Sequence, residues 1–187
     1  MSTPRKVVVL AGSLRKTSFN RQAAQALAKL APEGLTLEMV EIGQLPHYDQ
    51  DADEEGAPPA AWSQFRDSIK AADAVLFVTP EYNRSVPGVL KNAIDVGSRP
   101  PGQSAWAGKP AAVMSLSISA IGAFGANHHL RQSLVFLDMP VLQQPEAYVG
   151  QAATLFNADG SIANKETEAF FKRFIDAFAA WIERTID

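Results

Sequence analysis

The stretch Lys6-Val7-Val8-Val9-Leu10-Ala11-Gly12-Ser13-Leu14-Arg15-Lys16-Thr17-Ser18-Phe19-Asn20 decides how this 187-residue chain is read. Lys6 to Ala11 is a nearly unbroken apolar, β-branched run, the pattern of a strand buried on both faces. A glycine and a polar turn follow at once. Ala23, Ala24, Leu27 and Leu30 then recur at helical spacing until Pro32 and Gly34 stop them, and Asn20 is a good N-cap residue for that helix. The unit is strand, polar turn, helix.

The same alternation continues outward. Further strands are expected over Leu35 to Ile42, Ala74 to Thr79, Ala111 to Leu116 and Met139 to Gln143. A second helix is expected from Ala60 to Ala71, and a third from Pro87, with Val89, Leu90, Ala93 and Ile94 on one face and Gly97, Pro100 and Pro101 at its end. A fourth carries Leu130, Leu134 and Leu137. The last runs from Lys165 to Thr185, with Phe170, Phe171, Phe174, Phe178 and Trp181 as a core stripe. Five strands alternating with helices predict an α/β fold, a doubly wound sheet in one domain over residues 1–187. Gln50 to Pro59, with Asp49, Asp51, Asp53, Glu54 and Glu55, reads as a mobile solvated loop, because its carboxylates lack the spacing of metal ligands.

Composition narrows the chemistry. A net charge of -3 offers no basic face for a phosphate backbone, so nucleic acid is not an expected partner. The chain has no cysteine, which removes disulfides, iron–sulfur clusters and thiol nucleophiles, and with them a phosphatase of related fold. Redox chemistry must therefore come from a bound cofactor. The apolar stretch after the charged N-terminus is too short for a signal peptide or a membrane span, so a cytoplasmic protein with no membrane partner is expected.

The turn from Gly12 to Asn20 suits a terminal phosphate. Loops beyond the carboxyl ends of parallel strands aim backbone N–H groups at ligands, and Ser13, Thr17, Ser18, Asn20 and Arg15 add hydroxyl, amide and guanidinium donors. Rival phosphate motifs fail on the letters. A Walker A loop needs Gly before the Lys that Arg15 precedes, and a GxGxxG fingerprint needs glycines where Leu14 and Thr17 stand. A receiver domain needs acidic residues where the strands end in Ala11-Gly12 and Thr79-Pro80.

Two further loops complete the pattern. Thr79-Pro80-Glu81-Tyr82-Asn83-Arg84-Ser85-Val86-Pro87 is stiffened by two prolines, as suits a slot for a flat ring whose reduction places negative charge on its pyrimidine edge. Tyr82 is placed to pack near such a ring and Asn83 to bond its edge or hold the loop. Ser115, Ser117 and Ser119, followed by Gly122, Ala123 and Gly125, form a third loop able to close the other side.

Taken together, Gly12 through Asn20, Pro80-Glu81-Tyr82-Asn83-Arg84-Ser85-Val86-Pro87-Gly88, Leu90-Lys91-Asn92-Ala93-Ile94-Asp95, and His129-Leu130-Arg131-Gln132 with Leu134-Val135-Phe136-Leu137-Asp138 closely resemble the NAD(P)H-dependent FMN reductases of the chromate and quinone reductase type. The resemblance implies a flavodoxin-like three-layer fold with strand order 2-1-3-4-5 and noncovalent FMN. It implies that Ser13, Leu14, Arg15, Lys16, Thr17, Ser18, Phe19 and Asn20 surround the ribityl phosphate, that Pro80, Glu81, Tyr82, Asn83 and Arg84 surround the isoalloxazine, and that Ser117 adds a contact. It further implies NADPH or NADH as cosubstrate, with NADPH favoured, and a homodimer or homotetramer. Quinones, free flavins, azo compounds or chromate are the implied acceptors, reduced in a ping-pong cycle with no catalytic side chain and no metal.

The chain departs from that pattern at Arg84, where relatives often carry Tyr, at Val96, where Trp is usual, and at Ser119 and Ala123, where glycines are usual. Arg84 suits the phosphates of the nicotinamide nucleotide, an anionic acceptor, or a surface salt bridge. Two other functions share the fold: an FMN electron carrier, and an FMN-binding sensor without turnover. His47, His128 and His129 read as surface, capping or interface residues. Trp62, Trp106 and Trp181 read as packing residues.

Overall fold

The structure is a computed structural model that describes residues 3–54 and 56–186. Strands β1 (Arg5–Ala11), β2 (Leu35–Met39), β3 (Ala74–Thr79), β4 (Ala111–Leu116) and β5 (Ala147–Val149) form one parallel sheet in the order β2-β1-β3-β4-β5. The helices are α1 (Phe19–Leu30), α2 (Gln50–Glu54), α3 (Ala60–Lys70), α4 (Gly88–Gly97), α5 (Phe124–Phe136) and α6 (Lys165–Ile186). Successive side chains of a strand point to opposite faces, and β1 feeds two cores in this way. Val7 and Val9 meet Ala23 and Leu27 of α1 and Phe171, Phe174 and Phe178 of α6. Val8 and Leu10 meet Phe65 and Ile69 of α3, Leu90 and Ile94 of α4, and Leu130 and Leu134 of α5. The strand order reverses direction between β1 and β3, and a crevice at such a switch point is where ligands bind in sheets of this kind. The predicted three-layer flavodoxin-like arrangement is the observed one.

Four expectations need correction. The fifth strand is not Met139 to Gln143. That segment touches the start of β4 through one bridge, Val141 with Ala111, and through the Leu142 N–H donating to the Ala111 carbonyl at 2.8 Å. Regular pairing resumes only at Ala147 opposite Met114. From 111 to 114 the chain advances three residues on β4, and from 141 to 147 it advances six on the partner segment, so three extra residues bulge out around Pro145. Proline has no N–H for the ladder. Met139, Val141 and Leu142 are nonetheless buried, so the apolar run marked burial correctly and pairing wrongly.

The first helix is capped by Ser18 rather than Asn20. Ser18 has extended backbone angles, φ -68° and ψ 126°, and its hydroxyl accepts the Arg21 N–H at 3.4 Å. Asn20 lies within the first helical turn and is buried. The acidic run is also not simply solvated: Asp53 sits on α2 and makes a bidentate ion pair with Arg66 of α3 at 2.9 and 2.7 Å, with side chains only 4% and 7% exposed. The Arg66 Nε donates to the Val96 carbonyl of α4 at 2.8 Å. Glu55 lies outside the described residues. The second strand also stops at Met39, short of Ile42.

Candidate active site

Three loops converge at the carboxyl ends of β1, β3 and β4. The first is bound tightly to the sheet: the Gly12 N–H donates to the Val78 carbonyl at 2.9 Å, continuing the β1–β3 ladder. A Cβ on Gly12 would stand 3.0 Å from Thr79 Oγ1, 3.1 Å from Pro80 Cδ and 3.2 Å from Leu90 Cδ2, so glycine lets this turn lie against the next loop. Ser13, Ser18 and Asn20 are buried, Phe19 packs into the α1 side of the core, and Leu14, Arg15, Lys16 and Thr17 face solvent. The Ser18 N–H closes the turn onto the Arg15 carbonyl at 3.1 Å.

The polar chemistry of this turn is incomplete without a ligand. Among the described residues Arg15 and Lys16 have no carboxylate partner. The buried Asn20 Oδ1 has no hydrogen-bond partner. Leaving such an atom unpaired costs about 1–3 kcal/mol. A ligand hydroxyl donating to it removes that cost, and a half-turn of the amide presents Nδ2 to a phosphate oxygen instead. Two unpaired cations, buried hydroxyls and an orphaned amide fit a phosphorylated polyol.

The second loop is a tight hairpin. Tyr82 and Ser85 exchange both backbone hydrogen bonds, at 3.1 and 3.0 Å, across a two-residue turn in which Asn83 has φ 51° and Arg84 has φ 65°. Both therefore occupy the left-handed region expected of a type I′ turn. Arg84 is 77% exposed, and its Nη1 lies 3.4 Å from Glu81 Oε1. The other Glu81 oxygen accepts the Ala126 N–H of α5 at 3.0 Å. Ser85 Oγ and His129 Nδ1 are 3.0 Å apart, so this loop is tied to α5 twice.

The third loop turns on Ser117, whose hydroxyl accepts the Ser119 N–H at 3.0 Å and meets Ser119 Oγ at 2.9 Å. Beneath it runs a buried polar chain that the sequence reading missed. Ser115 Oγ donates to the Gly122 carbonyl at 2.7 Å, Asn127 Nδ2 donates to Ser115 Oγ at 3.1 Å, and Arg131 Nε donates to Asn127 Oδ1 at 2.9 Å. The one available signal was Asn127 and Arg131 four residues apart on the helix that carries Leu130 and Leu134. Gly122, at φ 59°, has no room for a Cβ against the Tyr148 and Val149 backbone.

Leu14, Tyr82, Ile118, Ile121 and Phe124 are large apolar side chains exposed on or beside these three loops. They supply an apolar rim to a polar floor, the combination small-molecule sites use. Of the histidines, His47 is exposed in its loop, His129 is drawn to the second loop, and His128 Nε2 lies 3.0 Å from the Tyr148 hydroxyl. The Tyr148 hydroxyl donates to Glu146 at 2.8 Å, and burial, reinforced by that carboxylate, pushes its pKa up to about 12. Trp62, Trp106 and Trp181 each donate the indole N–H to a backbone carbonyl, at 3.0, 2.9 and 2.9 Å, and serve packing as read. Asn92 is a clamp: its Oδ1 accepts the Tyr48 N–H at 2.8 Å and its Nδ2 donates to Pro46 at 3.0 Å, tying the loop after β2 to α4.

Residues 5–154 match the model of the NADPH-dependent FMN reductase family. The chain belongs to that family. A quinone reductase of Pseudomonas putida is 62% identical over 183 residues, covering 98% of this chain and 97% of that protein. A 2-hydroxy-1,4-benzoquinone reductase of a Burkholderia species is 46% identical, covering 95% and 96%. Among solved structures, FerB, a flavoenzyme NAD(P)H:(acceptor) oxidoreductase of Paracoccus denitrificans, superposes with a TM-score of 0.90 at 43% identity, covering 97% and 98%. As an FMN reductase the chain is an NAD(P)H-dependent flavoprotein, and the three loops over the β1/β3 switch point have the donors, glycines and apolar rim that FMN requires.

Proposed function

We propose that this FMN reductase passes electrons from NADPH or NADH to quinones, in alternating half-reactions at one open face. The observation that carries the reading is the meeting, over the switch point, of a turn with two cations that lack a carboxylate partner among the described residues and an orphaned buried amide oxygen with a second turn and an exposed apolar rim. FMN, when bound, would supply the two-electron redox chemistry that links the nicotinamide to the acceptor.

The side chains have binding and orienting tasks. Ser13, Arg15, Lys16, Thr17, Ser18 and Asn20 hold the phosphate, with Leu14 and Phe19 bracketing the turn. The Pro80 to Arg84 backbone would hold the ring, where N–H donors would favour the charge that reduction brings. Ser117 closes the third side. No nucleophile and no metal are required of the protein, whose contribution is alignment and controlled access. Arg84, exposed at the hairpin tip, meets the nucleotide's phosphates or an anionic acceptor. Chromate, azo compounds and free flavin extend the same acceptor chemistry.

The protein acts in the cytoplasm as a homodimer or homotetramer. Among the described residues no helix is long and apolar enough to cross a membrane. Phe136, 88% exposed, lines an open groove of about 630 Å³ between α4 and α5 that favours self-association.

The test is a visible spectrum of the purified protein under argon, before and after NADPH and then after a benzoquinone. Bleaching by NADPH and recovery with quinone is the expected result. A yellow protein that NADPH fails to bleach is a carrier or sensor, and a colourless one that takes up no FMN at micromolar concentration overturns the reading.

A further inference from the structure

The helix that forms the third wall of the site begins without a cap of its own. The residue at its N-cap position is Ala123, at φ 59° and ψ 39°, and it makes no side-chain cap bond. Alanine has no acceptor for the first-turn amides, which stay unpaired unless something else reaches them. Here the acceptor comes from another loop. Ala126, third residue of α5, donates its N–H to Glu81 Oε2 at 3.0 Å across 45 positions of sequence.

The junction is close as well as bonded. A Cβ on Gly125 would stand 2.9 Å from the Arg84 carbonyl oxygen and 2.9 Å from Glu81 Oε2, so the helix lies against the hairpin because residue 125 has no side chain. Glu81 Oε1 faces Arg84 Nη1 at 3.4 Å, and the side chain is only 11% exposed. Both carboxylate oxygens are thus engaged within the protein. A carboxylate turned toward the flavin would oppose the negative charge that reduction adds, whereas one directed at a helix N-terminus meets the positive end of the dipole.

We propose that Glu81 is a positioning residue, capping α5 from the loop after β3 and so fixing the gap between two walls of the FMN site, rather than touching the cofactor with its side chain. The inference rests on the FMN site proposed above. It makes the Glu in the Pro80-Glu81-Tyr82-Asn83 motif a spacer whose hydrogen-bond acceptor matters more than its charge. Gly125 is its counterpart on the helix.

The experiment compares the wild type, E81Q, E81A and G125A as apoproteins. Amide exchange at Ala126 is read by NMR, FMN affinity by flavin fluorescence titration, and ring orientation by the visible circular dichroism of the bound flavin. E81A is expected to exchange the Ala126 amide about tenfold faster and to bind FMN about tenfold more weakly, with an altered dichroic band. E81Q keeps an amide oxygen for the Ala126 N–H and is expected to stay within about threefold of wild type on both measures. G125A, which forces the two walls apart and leaves the carboxylate in place, is expected to follow E81A. If E81A fails to fold, G125A and E81Q carry the comparison.

E81A with wild-type Ala126 exchange overturns the cap. Faster exchange in E81A with wild-type FMN affinity and dichroism overturns the link from cap to site. E81Q as impaired as E81A assigns the effect to charge and also overturns the proposal. A wild type that takes up no FMN while E81A still speeds Ala126 exchange fails the cofactor reading, and with it the positioning role, but leaves the cap measured.

Discussion

Arg15 and Asn20 carry the most specific chemistry of the phosphate turn, and they act differently. Arg15 is exposed with no carboxylate partner among the described residues, so removing it leaves nothing buried behind. Arg15→Ala is expected to weaken FMN binding about tenfold or more, the worth of a charge-assisted hydrogen bond, and to leave the melting temperature of the apoprotein unchanged. Fluorescence titration and a thermal melt check the two halves. Tyr148 provides a pH signature. Its pKa rises in the folded protein to about 12 from an ordinary 10, chiefly through burial and then through Glu146, so the unfolded chain loses this proton first. The associated stability is fully present below pH 10 and disappears as pH rises toward 12. Tyr148→Phe is expected to flatten the fall of the melting temperature over that window relative to wild type. Serine and asparagine both cap helices, and the sequence reading placed the cap at Asn20. The backbone angles assign it to Ser18, and the buried Asn20 Oδ1 is left without a hydrogen-bond partner.

The hairpin after β3 combines stability and function in opposite directions. Arg84 holds φ 65°, a conformation in which a non-glycine residue costs roughly 1–2 kcal/mol. Arg84→Gly is therefore expected to raise the melting temperature while increasing the KM for NADPH, if the guanidinium serves the nucleotide as proposed; an unchanged KM assigns Arg84 to the surface. The short helix α2 is tied to α3 by an ion pair between Asp53 and Arg66. Breaking a buried pair from one side leaves a charge without its partner, so Asp53→Ala is expected to cost about 3–5 kcal/mol in urea unfolding, and Asp53→Leu with Arg66→Leu together much less. The sequence could not disclose that pair, since Asp53 stands in a run of acids and its partner lies 13 residues away on another helix. The fifth strand was misplaced for a related reason: Met139 to Gln143 and Ala147 to Val149 are both apolar, and only the ladder with β4 separates buried from paired.

Two cores lie on opposite faces of one sheet, and the proposed site lies at the carboxyl ends of the strands that separate them. The arrangement leaves the α4–α5 groove uncovered, with Val135 and Phe136 exposed on α5. If that face joins protomers, Phe136→Glu is expected to lower the sedimentation mass to that of a single chain, and an unchanged mass places the proposed assembly contact elsewhere. The alternation of strands and helices was legible in the sequence because buried parallel strands are apolar runs and their crossover helices carry a 3.6-residue period, whereas the strand order came from the family resemblance. The loops at the strand ends were legible as chemistry, since glycine, hydroxyl and guanidinium groups are local features of the chain.

The amino-acid sequence alone determined the alternating strands and helices, the polar turn after the first strand, the proline-stiffened second loop and the need for a cofactor in a chain without cysteine. These are properties of composition and of neighbours within a few residues, where side-chain type and spacing act directly. Only the tertiary structure decided that Glu81 reaches α5, that Asn127 and Arg131 brace the third loop, and that Asp53 is buried. Each depends on atoms far apart in sequence, whose meeting is set by packing of the whole sheet and by the burial that makes their hydrogen bonds obligatory.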